Sequence, residues 1–317
     1  PGAAARDEEI TGRMDSLAAS RSLTVSFSKQ TGSALPVGLP VLFGDPEESI
    51  FADATPCAGA GAFALFQTGA WLLGRARLGT AGNLARTTES LYAQLLEATR
   101  GWQLARIWNY VPAINASTSG GLEHYRAFSQ GRALAFERVF GPDFKRAVPA
   151  ASAVGCDATE LSVLFAATRA PVRHVENPDQ IPAYDYPPEY GPRAPSFARA
   201  TLVLGEQTDV FISGTAAVRG HATVAPGNTP AQLDCTLENL RTISLACGLG
   251  AHLAAGTAAA RHFKIYLRHP ADLAAVADRL ARDLLRPDDR VSYLRSDICR
   301  SDLNLEIEAT LRGLAPA

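Results

Sequence analysis

The chain has 317 residues, of which 47% are apolar and 20% are charged, and its formal net charge is −2. That apolar content supplies a core for one large domain or two smaller ones, which excludes a mainly disordered chain. The near-zero net charge disfavours nucleic-acid binding through a basic field. No run of about 18 apolar residues occurs, so we expect no membrane span.

The chain has an odd number of cysteines, five, which are scattered and never spaced as Cys-x-x-Cys: Cys57, Cys156, Cys235, Cys247 and Cys299. This usage is typical of a reduced cytoplasmic protein without disulfides or structural zinc. No basic segment followed by an apolar one opens the chain, so we expect no secretory signal, and we discount the glycosylation pattern at Asn115. Metal-ligand spacings and glycine-rich phosphate motifs are absent, so we expect no metal and no cofactor.

The first half of the chain alternates strand and helix patterns. Residues 1–21 are small and polar and predict a tail, and residues 22–45 predict edge strands and turns. Hydrophobic periodicity then predicts a strand and glycine turn at 60–73, a helix at 83–99, a strand at 104–111, a helix at 121–139 and a strand at 160–168.

The second half repeats that order. The patterns predict a strand and glycine turn at 208–220, a helix at 229–247, a strand at 262–267, a helix at 270–285 and a strand at 303–311. Three landmark pairs lie 145, 146 and 142 residues apart: Gly69 with Gly214, Gly74 with Gly220, and Thr168 with Thr310. One interpretation is a duplication in which each half is ordered ββ-α-β-α-β, and the other is coincidence among common glycines and threonines.

These patterns divide the chain into domains. We predict an N-terminal domain over 22–174 and a C-terminal domain over 196–317. The segment 175–195, rich in proline and tyrosine, is too aromatic for a flexible linker and is predicted to pack over another part of the molecule.

The final strand differs between the halves. The first half has VLFAAT (163–168) where the second has LEIEAT (305–310), which places Glu306 and Glu308 where the first copy is apolar. Because residues i and i+2 share a strand face, the two glutamates point the same way. They indicate either a solvated strand face or a cleft that uses carboxylates.

Four segments of the chain resemble the chorismatase family: RIWNYVPAIN (106–115), EHYRAFSQGR (123–132), IPAYDYPPEYGPRAPSFARAT (181–201) and DICRSDLNLEIEA (297–309). The C-terminal half by itself resembles a YjgF/RidA-like domain. The resemblance implies an α+β fold of two tandem YjgF/RidA-like (chorismate mutase-like) domains, with mixed sheets and helices packed on one face. It also implies an enzyme that removes pyruvate from chorismate.

The same resemblance implies that Glu306 is the catalytic acid. Protonating the CH2 end of the enolpyruvyl ether creates an oxocarbenium-like carbon, which a carboxylate then stabilises. Burial would raise the pKa of this carboxyl toward neutrality. The resemblance further implies substrate-binding residues from the helix, the strand and the linker: Tyr125, Arg132, Tyr184, Tyr186, Arg193 and Arg199. For each arginine the alternative is a surface salt bridge, and the choice between Tyr184 and Tyr186 stays open.

Two positions distinguish branches of that family. Cys299 before the last strand and Gly214 in the SGT turn resemble the branch that forms 3-hydroxybenzoate rather than the hydrolytic one. We expect Gly214 to leave room for a folded substrate, and Cys299 to act as a nucleophile or proton relay if it is accessible and thiolate-like. An inert core thiol is the alternative. Cys299 and Glu306 lie seven residues apart, so they share a site only if residues 300–304 form a turn.

Two other functions stay open at this point. A non-catalytic RidA-like module would bind small carboxylates and regulate a partner, and a RidA-type deaminase would hydrolyse imines. The expected partner is the small molecule chorismate, without nucleic acid or membrane. The expected assembly is a monomer whose halves cover each other, or a RidA-like trimer.

Overall fold

The structure, a computed structural model, describes residues 23–27, 34–51, 53–80 and 82–316. The predicted tail at 1–21 lies outside the described residues. The chain first forms four short strands: β1 (Leu23–Ser26), β2 (Leu35–Pro36), β3 (Val41–Gly44) and β4 (Glu47–Phe51). Strands β2, β1 and β4 make a small sheet in that order, while β3 leaves to join a larger sheet.

The first half then builds a six-stranded mixed sheet with two helices. Its elements are β5 (Thr55–Ala60), β6 (Phe63–Thr68), β7 (Trp71–Gly79), α1 (Leu84–Ala98), β8 (Gln103–Pro112), α2 (His124–Phe140), β9 (Ala150–Cys156) and β10 (Glu160–Thr168). The strand order is β5-β6-β7-β10-β8-β9. Strands β8 and β9 are parallel, and the other neighbours are antiparallel.

The second half builds a seven-stranded mixed sheet. Its elements are β11 (Val172–Val175), β12 (Ala200–Leu204), β13 (Thr208–Thr215), the hairpin β14 (Val218–Arg219) and β15 (Ala222–Thr223), α3 (Thr229–Ala246), β16 (Ala260–Leu267), α4 (Leu273–Asp283), β17 (Arg290–Arg295) and β18 (Leu305–Leu314). The strand order is β11-β12-β13-β18-β16-β17-β3.

The two large sheets share one topology. Taken from edge to edge, β6-β7-β10-β8-β9 has the same connectivity as β12-β13-β18-β16-β17, as the repeat predicts. This shared unit contains one strand more than the predicted ββ-α-β-α-β order, because β9 and β17 follow the second helix of their half and pair with β8 and β16 in parallel. The α+β class, with mixed sheets, is confirmed.

The predicted glycine landmarks are wrong, and a β-bulge is the reason. Ile212 pairs with Ala309 and Thr215 pairs with Ile307, so two residues of β13 lie opposite one residue of β18. In the first sheet the matching stretch has no extra residue. Gly214 therefore belongs to a bulge that the first half lacks, and it has no counterpart at Gly69.

Helix starts follow local capping chemistry. The Asn83 side chain accepts a hydrogen bond from the backbone N–H of Arg86 at the start of α1, and Asn228 does the same for Ala231 in α3. Leu91 of α1 is fully buried.

The helices pack on one face of each sheet, and the other faces meet each other. Leu305 and Ile307 of β18 belong to the core beneath the helices of the second half. Trp108 of the first sheet and Tyr266 of the second belong to a different core, between the sheets. By alternation Glu306 points toward that inner face. A solvated face is thereby excluded.

Two edge strands cross the predicted domain boundaries. Strand β11 pairs with β12, and β3 pairs with β17, although β3 and all but the last residue of β11 fall within the predicted N-terminal domain, 22–174. Pairing satisfies the backbone N–H and C=O groups that an open sheet edge would expose. A strand can therefore join the sheet of the other half, even when its neighbours in sequence belong to its own half. No helix in the described part of the chain is long and apolar enough to cross a bilayer.

Candidate active site

A cavity of about 310 Å³ lies where the two halves meet. Helix α2 and strand β9 contribute one part of its lining, and the linker, β13, the loop before β18 and β18 itself contribute the rest. Of the nine residues proposed from sequence, seven line it: Tyr125, Arg132, Tyr186, Arg199, Gly214, Cys299 and Glu306. Neither half could form this cavity by itself.

Glu306 presents a buried carboxyl to the cavity. The residue is 3% exposed, and its Oε1 atom has no hydrogen-bond partner among the described residues. Burial raises the pKa of Glu306 to about 8, and the negative charge of Glu308 adds to the increase, while Arg106 and Arg199 oppose it. A carboxyl with this pKa carries a proton at neutral pH and can donate it.

The bulge in β13 makes room for this carboxyl. A Cβ atom on Gly214 would overlap the Oε1 and Cδ atoms of Glu306. The space that we expected Gly214 to leave for the substrate is thus filled by the acid itself. Bulges often redirect groups next to active sites, and here the missing side chain sets where the carboxyl lies.

A turn brings Cys299 to Glu306. The backbone N–H of Leu303 donates to the carbonyl of Arg300, and β18 begins only at Leu305. The Cys299 Sγ atom lies 4.0 Å from Oε2 of Glu306. The turn required by the seven-residue separation is therefore present.

Arg268 holds this turn from behind. Its guanidinium donates to the carbonyl oxygens of Leu303 at 2.8 Å and Arg300 at 3.0 Å, and it pairs with Asp297 at 2.7 Å. It also donates to the Asn115 side chain at 3.1 Å, and Asn115 in turn donates to the carbonyl of Ile298. Asn115 is thus an internal link between the halves.

The Cys299 thiol is not thiolate-like. Burial raises its pKa to about 12, and the nearby Glu306 contributes further, with Arg300 and Arg199 opposing. At neutral pH the sulfur keeps its proton, so the condition for a nucleophilic role is not met. A proton-carrying thiol beside the acid fits the relay role instead.

Arg132 places a guanidinium with unsatisfied hydrogen-bond donors in the cavity. It is 2% exposed, and its Nε and Nη2 atoms have no hydrogen-bond partner in the described part of the chain. The guanidinium lies 5.3 Å from the centre of the Tyr92 ring. Burying guanidinium N–H groups that have no hydrogen-bond acceptor costs free energy of folding unless a bound anion accepts from them. The Arg132 side chain is therefore arranged to bind an anionic ligand.

Arg199 and Tyr186 form a second polar group. Arg199 Nη2 donates to the Tyr186 hydroxyl at 2.8 Å. The Arg199 Nε atom lies 4.0 Å from Glu176 and has no hydrogen-bond acceptor among the described residues. Burial, followed by the nearby Cys299, raises the pKa of Tyr125 well above its usual value, so the phenol stays a donor. Cations and neutral donors thus surround one proton-bearing carboxyl.

Comparison with known proteins identifies the family. The family model described as chorismatase FkbO/Hyg5-like, N-terminal, matches residues 52–167. A 3-hydroxybenzoate synthase from Streptomyces hygroscopicus is 38% identical over 247 residues, which cover 74% of this chain and 72% of that protein. The chain belongs to the FkbO/Hyg5-like chorismatase family.

Two further comparisons agree. A chorismatase from Streptomyces rapamycinicus is 38% identical over 252 residues, covering 76% of this chain and 74% of that protein. A crystal structure of a chorismatase superposes with a TM-score of 0.74 at 35% identity, covering 81% of this chain and 80% of that one. The fold expected from the resemblance is confirmed, and this chain is a chorismatase-family enzyme.

Two residues expected in the site of this chorismatase lie elsewhere. Tyr184 and Arg193 line a separate hollow on the other side of the linker and do not line the cavity. Arg193 pairs with Glu137 at 3.3 Å on the surface, which is the alternative considered for each arginine. Of the two tyrosines left open, the structure places Tyr186 in the cavity.

The sequence analysis missed Arg300 and Tyr190. Arg300 stacks 4.3 Å from the centre of the Tyr190 ring and 5.3 Å from that of Tyr186, and all three line the chorismatase cavity. His221 accepts from or donates to the Tyr190 hydroxyl at 3.1 Å. Arg300 belongs to the predicted turn and Tyr190 to the aromatic linker, so the signal was present, but only the fold joins them.

No group of three or more histidine, cysteine, aspartate or glutamate side chains among the described residues is arranged to hold a metal ion.

Proposed function

We propose that this chorismatase converts chorismate to 3-hydroxybenzoate and pyruvate, with Glu306 as the acid. The observation that carries the proposal is a buried, proton-bearing carboxyl in the same cavity as the buried guanidinium of Arg132, whose Nε and Nη2 atoms have no hydrogen-bond partner among the described residues. A dianionic enol ether needs both features: a cation for a carboxylate, and an acid for the vinyl carbon.

The first step is proton transfer. Glu306 delivers its proton to the CH2 terminus of the enolpyruvyl group, and the former vinyl carbon becomes an oxocarbenium-like centre. The resulting carboxylate stabilises this cation electrostatically in a cavity from which most water is excluded. The catalytic group is therefore used twice, first as a donor and then as a counter-charge.

The substrate carboxylates supply the orientation. Arg132 and Arg199 each have at least one buried nitrogen to which no described residue offers a hydrogen-bond acceptor, and Tyr186 fixes the Arg199 guanidinium. Bidentate contacts from planar guanidinium groups would hold the two carboxylates at set positions. Holding the ring in this way brings the enolpyruvyl CH2 to Glu306.

The second step decides the product. Together, 3-hydroxybenzoate and pyruvate contain the same atoms as chorismate, so this route consumes no water. The ring hydroxyl at C4 attacks the oxocarbenium-like carbon, as water does in hydrolysis, and gives its proton to the Glu306 carboxylate, so that a cyclic ketal forms. Loss of the C3 proton with cleavage of the ring C4–O bond then makes the ring aromatic. The remaining hemiketal collapses to pyruvate, and the phenolate oxygen that it releases takes up a proton. The Cys299 thiol, 4.0 Å from that carboxylate, relays a proton as the ring becomes aromatic.

Incubating the protein with chorismate in water labelled with oxygen-18 and separating the products by chromatography with mass detection tests this proposal. We expect equal amounts of 3-hydroxybenzoate and pyruvate, with no label in the aromatic product. A dihydroxycyclohexadiene carboxylate as the sole product would assign the enzyme to the hydrolytic branch. Binding of chorismate without turnover would contradict the proposal altogether.

The role of Cys299 is tested in the same assay. A Cys299→Ala variant is expected to shift the products toward the hydrolysed diol, because ring-proton loss is no longer relayed. Cys235→Ala, which removes a buried thiol that does not line the cavity, is the matched control and should keep the wild-type ratio. An unchanged ratio in both variants would remove Cys299 from the mechanism.

A further inference from the structure

A cluster of four buried charges lies behind the cavity, between the two sheets. Its members are Glu48 of β4, Arg106 of β8, Lys264 of β16 and Glu308 of β18, and each is at most 2% exposed. We call it the intersheet cluster. It contains two anions and two cations, and none of its members lines the cavity.

Glu308 is the centre of the intersheet cluster. Arg106 Nη2 donates to its Oε2 atom at 2.9 Å, while Lys264 Nζ at 2.6 Å and Trp108 Nε1 at 3.1 Å reach its Oε1 atom. Lys264 also pairs with Glu48 at 2.6 Å. Both oxygens of Glu308 are therefore satisfied, and its ionised form is stabilised by cations from both halves of the chain.

The fold repeat explains why two cations meet at one carboxylate. In the first sheet Arg106 lies opposite Ala166, and in the second sheet Lys264 lies opposite Glu308. Strands β8 and β16 are equivalent in the repeat, so Arg106 and Lys264 occupy equivalent positions on facing sheets. The second half has a carboxylate where the first has a methyl group, and it receives both cations.

This arrangement leaves the Glu306 carboxyl without an ion-pair partner among the described residues. Within the described ranges no lysine or arginine nitrogen forms an ion pair with Glu306 at 4.0 Å or less, although Glu308 is only two residues away on the same strand face. Ionising Glu306 would add a third anion to a buried region whose two cations already have partners. Buried carboxylates without a partner remain protonated.

The other groups near Glu306 do not replace that partner. The charged and titratable groups that face it or share its cavity come from several elements: Glu308 on its own strand, Tyr266 on β16, Arg106 on β8, Glu123, Tyr125, Arg126 and Arg132 at the start of α2 and along it, Tyr186, Tyr190 and Arg199 before β12, and Cys299, Arg300 and Asp302 in the turn. Of the cations, Arg106 is held by Glu308, Arg126 by Glu123, Arg199 by Tyr186 and Arg300 by stacking on tyrosines. Arg132 lies over the Tyr92 ring and makes no ion pair with Glu306 at 4.0 Å or less.

We propose that Glu308 is a positioning residue that acts through Glu306: by holding Arg106 and Lys264, it keeps the neighbouring carboxyl in its proton-bearing form. The effect on the charge state of Glu306 follows from the geometry alone. Its consequence for turnover rests on the function proposed above. Without Glu308, the positive charges of Arg106 and Lys264 would act on Glu306 and favour its ionisation.

The test titrates Glu306 directly. The C=O stretch of a protonated carboxyl is followed by infrared difference spectroscopy against pH, and Glu306→Gln identifies the band. In the otherwise unaltered protein we expect the band at pH 7 and its loss near pH 8. In Glu308→Gln we expect the midpoint to fall by about one unit or more, because the like charge is gone and two cations are released.

A charge-balanced variant separates electrostatics from structural damage. Glu308→Gln with Lys264→Met removes one anion and one cation, so the midpoint should return toward that of the unaltered protein. If Glu308→Gln does not fold, Glu48→Gln removes the other anion of the cluster and should lower the midpoint in the same direction by less. A midpoint that stays near 8 in the folded anion-removing variant, or the absence of a protonated carboxyl at pH 7 in the unaltered protein, would overturn the inference.

Turnover is measured separately, so the two proposals fail separately. The alkaline limb of kcat against pH should move with the infrared midpoint, whereas a purely structural role would lower kcat equally at every pH. If the infrared titration midpoint of Glu306 moves while the alkaline limb of the kcat–pH profile stays in place, the electrostatic inference is supported and Glu306 is not the catalytic acid. A midpoint that does not move contradicts the inference, whatever the products are.

Discussion

At the scale of single residues, burying the candidate acid, Glu306, lowers the free energy of unfolding. The environment that holds a proton on Glu306 is a buried one, in which Oε1 has no partner among the described residues. An enzyme accepts such a group because a proton donor near neutral pH requires it. The same group then makes the folded state sensitive to pH, since native and unfolded chains bind its proton with different affinity.

That linkage gives a prediction for Glu306→Gln. The pKa of Glu306 is raised from 4.5 to about 8, so between these values unfolding releases a proton. The stability contributed by this group is full below pH 4.5 and is lost as pH rises through about 8, at about 1.4 kcal/mol per unit. The variant lacks this loss, so urea unfolding should show its advantage over wild type growing from pH 5 to pH 8. A difference that is constant with pH would contradict the raised pKa.

Gly214 offers a steric test of the same carboxyl. In Gly214→Ala the new methyl group must displace the Glu306 side chain, whose Cδ and Oε1 atoms occupy that space. We expect kcat to fall by about 100-fold, the size that follows a displacement of about 1 Å, with little change in thermal stability. Gly79→Ala is the matched control, because nothing lies within 4 Å of its added Cβ. Equal activity of the two variants would show that Gly214 does not set the position of the acid.

At the scale of elements, the loop before β18 decides which groups meet. Cys299 and Glu306 would face opposite sides of an unbroken strand, and the serine, aspartate and asparagine in 300–304 already predicted a turn there. The clamp that holds this turn, Arg268, was not predicted. Two of its four partners are backbone carbonyl oxygens, which leave no mark on side-chain patterns, and Asn115 is 153 residues away in the chain.

Arg268→Gln should therefore loosen the turn. The variant loses the ion pair with Asp297 and the forked contacts to the turn, so we expect kcat to fall at least about tenfold while the circular dichroism spectrum is unchanged. Arg290→Gln removes an exposed ion pair with Asp45 and serves as the control, with near-normal turnover. Wild-type kcat in Arg268→Gln would mean that the turn needs no clamp.

The linker presents a matched pair of tyrosines. Tyr186 accepts a hydrogen bond from Arg199 and lines the cavity, whereas Tyr184 lies outside it. Tyr186→Phe should raise KM for chorismate roughly tenfold, because a hydrogen bond to a charged group is worth about 1.5 kcal/mol or more. Tyr184→Phe should leave KM within about twofold of wild type. Steady-state kinetics of the two variants decide the point, and the opposite order would reverse the assignment.

Hydrophobic periodicity predicted the helices well but missed several strands, of which β9 and β17 show the reasons. The predicted helices at 83–99 and 229–247 match α1 and α3 within a residue at each end. Strand β9 has the sequence AASAVGC, whose small residues show no alternation because the strand is buried on both faces. Strand β17 is recognised only through its pairing with β16 and with the distant β3.

At the scale of the whole molecule, the site exists because two sheets face each other. The sequence supplied Glu306, Arg132 and Arg199 through motifs that lie in different halves. It did not supply the contact between Arg106 and Glu308, which joins residues 202 positions apart. Such a contact depends on how two complete sheets pack, and no local pattern encodes that packing.

The intersheet packing also explains why the repeat is functionally unequal. Apolar residues occupy the last strand of the first half, which supports the core between the sheets. The second half replaces two of them with carboxylates, one held by cations and one left protonated. The repeated topology thus provides the scaffold twice, and in the proposed mechanism these two positions provide the chemistry once.

Deuterium transfer to pyruvate tests the central claim most directly. With chorismate in D2O, the acid carries a deuteron, so early-time NMR should show pyruvate with one deuterium in its methyl group, formed at the rate of product release. Glu306→Gln should form this pyruvate at least about 100-fold more slowly. Glu306→Gln that releases monodeuterated pyruvate at the wild-type rate would contradict the account, because another group would then be the proton donor.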